Sequence, residues 1–396
     1  MKRFQDLRIV EIAGSAAGSY AAKLFADYGA TVLRIEPPEG APDLHEGEDW
    51  HGIGTTYAYL NTSKLRLPLN LHDEPARQQL NELLAAADVL IESSSPDPLT
   101  PITTQGAHQH LVRTQISPFG SFGPYSQFRS NGFTDDAIGG HLYVNGEPDR
   151  EPIRRPGLHA LYQAGVHAYI GTIAALWARD RTTKGQTVEV AHLDGLASLH
   201  QHTTTMWTQA GHIIRRVGNR QPGHWHPVGC YPCKDGYVHL ALASGVKLAD
   251  FLAAAGIGHL LDDPRFGDDH QRGAHKDEFD QALIPWLMQH TVDQIVEIGQ
   301  SVFAPVGRVP TMLELLDDPH LAARDYWRTI EGESTLQLPR GPFHISGLEP
   351  DPSPPRASDL PESGGTSDTS EAWSGTPDLP ESVSLDEPTT NGPLTG

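Results

Sequence analysis

Apolar and polar positions fall in a recurring order along the first two hundred residues. Residues 7–12 (LRIVEI) form a short apolar run, and small residues follow at Gly14, Ser15, Ala16, Ala17 and Gly18. Ala21, Leu24, Phe25 and Tyr28 then recur at helical spacing, Gly29 closes that helix, and residues 31–35 are β-branched and apolar. Strand, turn, helix and strand within thirty positions predict a parallel βαβ crossover. The order returns as a strand at 65–69, a helix at 74–87 and a strand at 89–92, with one more strand in HLVRTQIS. A Gly- and Pro-rich stretch, PFGSFGPY, follows that last strand, where open α/β sheets hold ligands. A long helix is expected over 161–181, with Ala164, Gly165, Ala168, Gly171, Thr172 and Ala175 small enough for close backbone approach. KGQTVEVAHLDGLASL adds a strand and a helix, so the first 190 residues read as one α/β body. GSAAGS is not GxGxxG and no acidic ribose ligand stands about 20 residues on, so a dinucleotide is not indicated.

Residues 222–330 change character. YPCKDGYVHLALA reads as two strands joined by a Lys-Asp-Gly turn in which Gly236 is expected at positive φ. Amphipathic helices follow at 277–289 and 292–301, and the chain returns through FHISGLEP. Beyond about residue 352, Pro, Ser, Thr, Asp and Glu dominate and DLPES occurs twice, at 359–363 and 378–382. Such a segment buries too little apolar surface to offset its ordering entropy, so disorder is expected. A solubilising extension is its plainest role; a docking motif anchored by Trp373 is the alternative. The division is 1–200 for the large domain, 201–225 linker, 226–330 for a smaller α+β domain, 331–350 a returning segment, and 351–396 the tail.

The 396 residues, 38% hydrophobic, have room for two domains. No run nears 18 apolar residues and the first residues do not read as a signal peptide, so a cytoplasmic protein with no membrane partner is expected. A formal net charge of -21 excludes nucleic acid, which needs clustered Lys and Arg. From Glu349 onward ten acidic residues face the single Arg356, so the tail carries -9 of that charge. Cys230 and Cys233 form a lone Cys-x-x-Cys, which reads as two ordinary thiols beside a turn. His200, His202, His212, His224 and His226 show no metal-ligand spacing, and no metal site is expected. Ser117 lacks the GxSxG of a nucleophile elbow.

Ten segments, in order, resemble the family III CoA-transferases of the CaiB/BaiF type, which include formyl-CoA and carnitine CoA-transferases and α-methylacyl-CoA racemase. They are LRIVEIAGSAAGSYAAKLFADYGATVLRIEPPEG, LNTSK, ADVLIES, ISPFGSFGPY, AGVHAYIGTIAALWARDRTTKGQTVEVAHLDGLASL, GNRQPG, YPCKDGYV, DDPRF, APVGRV and DDPHLAAR. The resemblance implies a large Rossmann-like CoA-binding domain, a small domain and two chains interlocked like rings. It implies CoA or acyl-CoA as substrate, with no permanently bound cofactor. In that family a carboxylate attacks the acyl-CoA thioester, and CoA thiolate captures the mixed anhydride to give an aspartyl-CoA thioester. Backbone N–H groups can stabilise the oxyanion.

The family's A-D-x-x-A-G reads here as Ala160, Leu161, Tyr162, Gln163, Ala164, Gly165. Leu161 thus takes the nucleophile's place with neither lone pair nor proton. The nearest replacements are His159 and Tyr162, with Asp135 and Asp136 from another loop; Asp136 takes the place of a family Gln, and a usual Asp or Glu falls on Gly132. Among further departures, the usual Asn-Phe is Ser93-Ser94 and the Arg of the NR(G/N)K segment is Thr62. Candidate CoA contacts are Ala16, Ala17, Lys64, Ser93 and Ser94; Arg154 and Arg155 are weighed for a carboxylate acceptor and read as a solvated loop. Three readings stay open. The chain is a subunit that needs a homologous Asp-bearing partner, or an active homodimeric transferase or racemase using Asp136 or His159, or a non-catalytic acyl-CoA-binding scaffold.

Overall fold

The computed structural model describes residues 4–93, 108–221, 223–330, 335–347, 356–357 and 373. Two compact units emerge. The first comprises Met1–Gly139, Pro156–Leu199 and Asp325–Gly396, the second Gly140–Arg155 and His200–Arg324.

In the first unit the apolar runs become β1 (Arg8–Ala13), β2 (Thr31–Glu36), β3 (Leu65–Pro68), β4 (Val89–Ser93), β5 (Val112–Ser117) and β6 (Thr187–Ala191). All pair in parallel, in the order β3-β2-β1-β4-β5-β6, the doubly wound arrangement. Chain order reverses between β1 and β4, so the sheet opens a crevice at their C-terminal ends. Side chains alternate across the sheet: Ile9, Val32, Val89 and Ile91 bury against α1 (Ala16–Asp27) and α5 (His159–Thr182), while Val10, Leu33 and Leu90 bury against α3 (Glu74–Ala86). That double burial is why these strands read as continuous apolar runs. The remaining helices of this unit's body are α2 (Thr55–Leu60), α4 (Gly132–Ile138) and α6 (His192–Ser198).

The small residues of α5 act as anticipated. A Cβ built on Gly165 would lie 2.7 Å from the carbonyl oxygen of Ala17, so α1 and α5 touch backbone to backbone. After Asp325 the chain returns as a hairpin, Trp327–Ile330 with Leu336–Pro339, and Phe343 stacks on Tyr28 at 4.4 Å. Two pieces of the stretch assigned to disorder belong to this unit. Arg356–Ala357 pairs in parallel with Leu65 and Arg66 at the sheet edge, and Trp373 is half-buried against the α3 cluster with the Arg8 guanidinium 5.4 Å from its ring centroid. Trp373 is thus engaged within its own chain. Both DLPES repeats lie outside the described residues.

The second unit has a three-stranded antiparallel sheet of Val228–Pro232, Tyr237–Ala241 and Val306–Arg308 around a separate core that includes Val238, Leu240, Phe251, Phe279 and Leu283. Gly236 does not adopt positive φ. The connection is a four-residue loop, closed by the Cys233 N–H on the Gly236 carbonyl at 2.9 Å and by Asp235 accepting from the Val292 N–H at 2.8 Å, and it needs no left-handed residue. Residues 140–155 also join this unit, not the α/β body expected from sequence. Gly218 N–H donates to the Gly146 carbonyl at 3.0 Å and Arg216 to the Tyr143 carbonyl at 3.0 Å, tying that loop to the segment beyond α6.

Candidate active site

One side chain bridges the C-terminal ends of β1 and β4. The Ser93 hydroxyl accepts from the N–H groups of Gly14 (3.0 Å) and Ser15 (3.1 Å), so it pins the thin turn that starts α1. Ala16 and Ala17 open α1 directly after that turn, and Ser93, Ala16 and Ala17 are all buried within the chain. Ser94 lies outside the described residues.

Lys64 does not join them. It is fully buried, and its ammonium sits 2.7 Å from Glu11 Oε2, 2.9 Å from the Ser19 carbonyl and 3.0 Å from Asn61 Oδ1, so its charge is met inside the chain. Burial, helped by the charge of Arg34, pushes its pKa down to about 8 against the pull of Glu11. Arg34 is the hub of this network: its guanidinium meets Glu36 at 2.7 Å, Glu11 at 2.8 Å, Asp43 at 2.7 Å and Ser19 at 2.7 Å. Burial alone would weaken that cation, but Glu11, Asp43 and Glu36 more than reverse the effect and hold it charged. Thr62 is likewise structural, donating to Asp27 at 2.8 Å and accepting from buried Lys23.

At its start, α5 lies beside α1. Leu161 is half-buried, packs against the core shared by α1 and α5, and comes within 3.3 Å of where a Cβ of Gly132 would stand. Tyr162 lies against Tyr20, ring centroids 4.8 Å apart, and faces Tyr59 edge-on at 6.4 Å. Burial and the neighbouring Tyr20 raise the Tyr162 pKa to about 12, so its hydroxyl is a neutral donor. His159, the first residue of α5, is exposed, whereas Asp136 is buried on α4. His159 and Asp136 thus occupy different environments.

A pairing the sequence did not show lies on α4 and α6. Asp135 and His192 are both buried, and His192 Nδ1 is 2.9 Å from Asp135 Oδ2; the Ser130 hydroxyl donates to the other carboxylate oxygen. Asn131 caps α4 with a reciprocal capping box, fixing the helix that carries Asp135. The available signal was positional, since His192 directly follows β6 at its C-terminal end, where open sheets gather functional side chains. The other histidines named above make separate contacts: His200 lies against His141, ring centroids 4.3 Å apart, His224 against His270 at 4.5 Å, and His226 pairs with Asp280 at 2.9 Å. Among the described residues no three His, Cys, Asp or Glu side chains are grouped to hold a metal ion.

With this geometry in place, comparison with known proteins identifies the class. A family model described as CoA-transferase family III matches residues 4–362, and the chain belongs to that family. Among the relatives it matches, the succinyl-CoA–D-citramalate CoA-transferase of Chloroflexus aurantiacus is 30% identical over 81% of each chain. The succinyl-CoA:(R)-benzylsuccinate CoA-transferase subunit BbsE of Thauera aromatica is 28% identical, over 87% of this chain and 89% of its own. The crystal structure of a CAIB/BAIF family protein from Brucella suis superposes with a TM-score of 0.80 at 26% identity, covering 89% of this chain and 96% of that one. Family III enzymes act on CoA thioesters. No helix among the described residues is long and apolar enough to cross a membrane.

Proposed function

We propose that this chain is the nucleophile-lacking subunit of a two-subunit family III CoA-transferase, which exchanges CoA between a dicarboxylic acyl-CoA and a carboxylic acid. The observation that carries this reading is Leu161. It stands where the family's attacking carboxylate is expected, at the start of α5 beside the α1 turn, and its side chain is built into the core that joins those helices. A side chain with neither lone pair nor proton cannot form the acyl anhydride, and losing a nucleophile costs several orders of magnitude in rate. The scaffold around it is retained, with the thin turn pinned by Ser93 and the tight contact of α1 with α5. A chain that keeps the frame and lacks the reacting group fits a complex in which a homologous, Asp-bearing chain supplies that group, with the two interlocked. The relative from Thauera aromatica, itself named as a subunit, supports such an arrangement, and two relatives named for succinyl-CoA support the dicarboxylic acyl class.

The test is a CoA-transfer assay with succinyl-CoA on the chain purified alone and after co-expression with an Asp-bearing homologue from the same genome. Turnover is expected only from the pair. Sustained turnover by the chain alone would overturn the proposal.

A further inference from the structure

We infer that Cys230 and His239 form a thiol–imidazole pair on the outer face of the three-stranded sheet, and that this pair is a modification site for low-molecular-weight disulfides. Cys230, in the strand Val228–Pro232, pairs directly with His239, in the strand Tyr237–Ala241, and Cys230 Sγ lies 3.5 Å from His239 Nδ1. Alternation decides which face they occupy. Tyr231, Val238 and Leu240 enter the core of the second unit, so Cys230 and His239 stand on the other face, where His239 is exposed and Cys230 half-buried. On the third strand Gly307 stands opposite His239, and a Cβ built on it would meet nothing within 4 Å, so there is open space beside the imidazole.

The two cysteines of the Cys-x-x-Cys are thereby set apart. Cys233 is 4% exposed and packed in the core, and burial pushes its thiol pKa up. The chain runs extended from Cys230 through Pro232, so three steps place the two Cα atoms about 10 Å apart, against the roughly 7 Å that a disulfide tolerates. Cys233 therefore cannot displace a group bound at Cys230, and a mixed disulfide formed there persists.

The surroundings select a disulfide over an acyl group. Attack on an acyl carbon builds an oxyanion that needs donors, yet the Cys230 N–H is already given to Asn219 Oδ1 at 2.8 Å. Exchange at sulfur needs only a base for the thiol and an acid for the leaving sulfur. The Cys230 S–H bond breaks as His239 Nδ1 takes the proton, and the thiolate attacks one sulfur of the disulfide. The S–S bond of that molecule breaks, and the imidazolium returns the proton to the departing thiolate. One thiol and one disulfide enter, one thiol and one mixed disulfide leave, and no further oxidant is required.

Glutathione disulfide is the probe, added to the full native chain at neutral pH and to the same chain in urea, with the initial rate at each cysteine followed by mass spectrometry of its peptides. In the native chain Cys230 should react at least about tenfold faster than Cys233, and about tenfold faster than Cys230 does in urea, where His239 no longer stands beside it. Cys230→Ser should leave the native chain unmodified, and His239→Gln should slow Cys230 to about its rate in urea. A native rate at Cys230 no greater than in urea, a rate unchanged by His239→Gln, first reaction at Cys233, or an internal disulfide between the two cysteines would overturn the inference. The comparison of native with unfolded chain uses no variant, so it decides the matter should a substituted chain fail to fold.

Discussion

Gly165 and Lys64 show how differently single residues declare themselves. A side chain on Gly165 meets the Ala17 carbonyl at 2.7 Å, which is backbone and cannot swing aside. Gly165→Ala should therefore part α1 from α5 at a cost of about 1–3 kcal/mol, read as a lowered denaturant midpoint. That role was legible, because small residues recur along one helix. Lys64 was not, since Glu11, Ser19 and Asn61 reach it from three separate elements. Its pKa, pushed down to about 8, yields a further expectation. Between that value and the ordinary lysine value of about 10.5, the unfolded chain holds the proton that the folded chain has lost, so this group adds stability as pH rises through the window. Denaturation of the native protein and Lys64→Met from pH 8 to 10.5 should show the native protein gaining on the variant; a constant difference would contradict the assignment.

For the elements, the sequence was most reliable where burial is two-sided. The strands of the parallel sheet and α1, α3 and α5 fall within about two residues of the positions read from periodicity, because each apolar run packs on both faces or along one stripe. Short polar elements hid their purpose. α4 has only seven residues, and its place is set by the Asn131 cap and by Gly132 and Gly139 meeting Leu161 and Leu196. Asn131→Ala should cost about 1 kcal/mol and raise amide exchange in residues 132–138 ahead of the sheet strands. The hairpin at Cys233–Gly236 was misread in its turn geometry, since a three-residue Lys-Asp-Gly turn and a four-residue connection look alike until pairing shows that Pro232 faces Tyr237.

At the scale of the molecule, the family and the doubly wound body were readable because ten dispersed segments agree in order, although none is specific alone. The limits of the second unit were not, as residues 140–155 join it through backbone hydrogen bonds with no sequence signature. The acidic balance of -21 predicts no retention on heparin at physiological salt, and retention would require a basic surface the composition does not suggest. The central claim is a division of labour in which this chain frames a site and another chain performs the attack. Intact mass spectrometry of the reconstituted pair, quenched during turnover with succinyl-CoA, addresses it most directly. A covalent CoA or acyl adduct should appear on the Asp-bearing partner and never on this chain; an adduct on this chain would contradict the account.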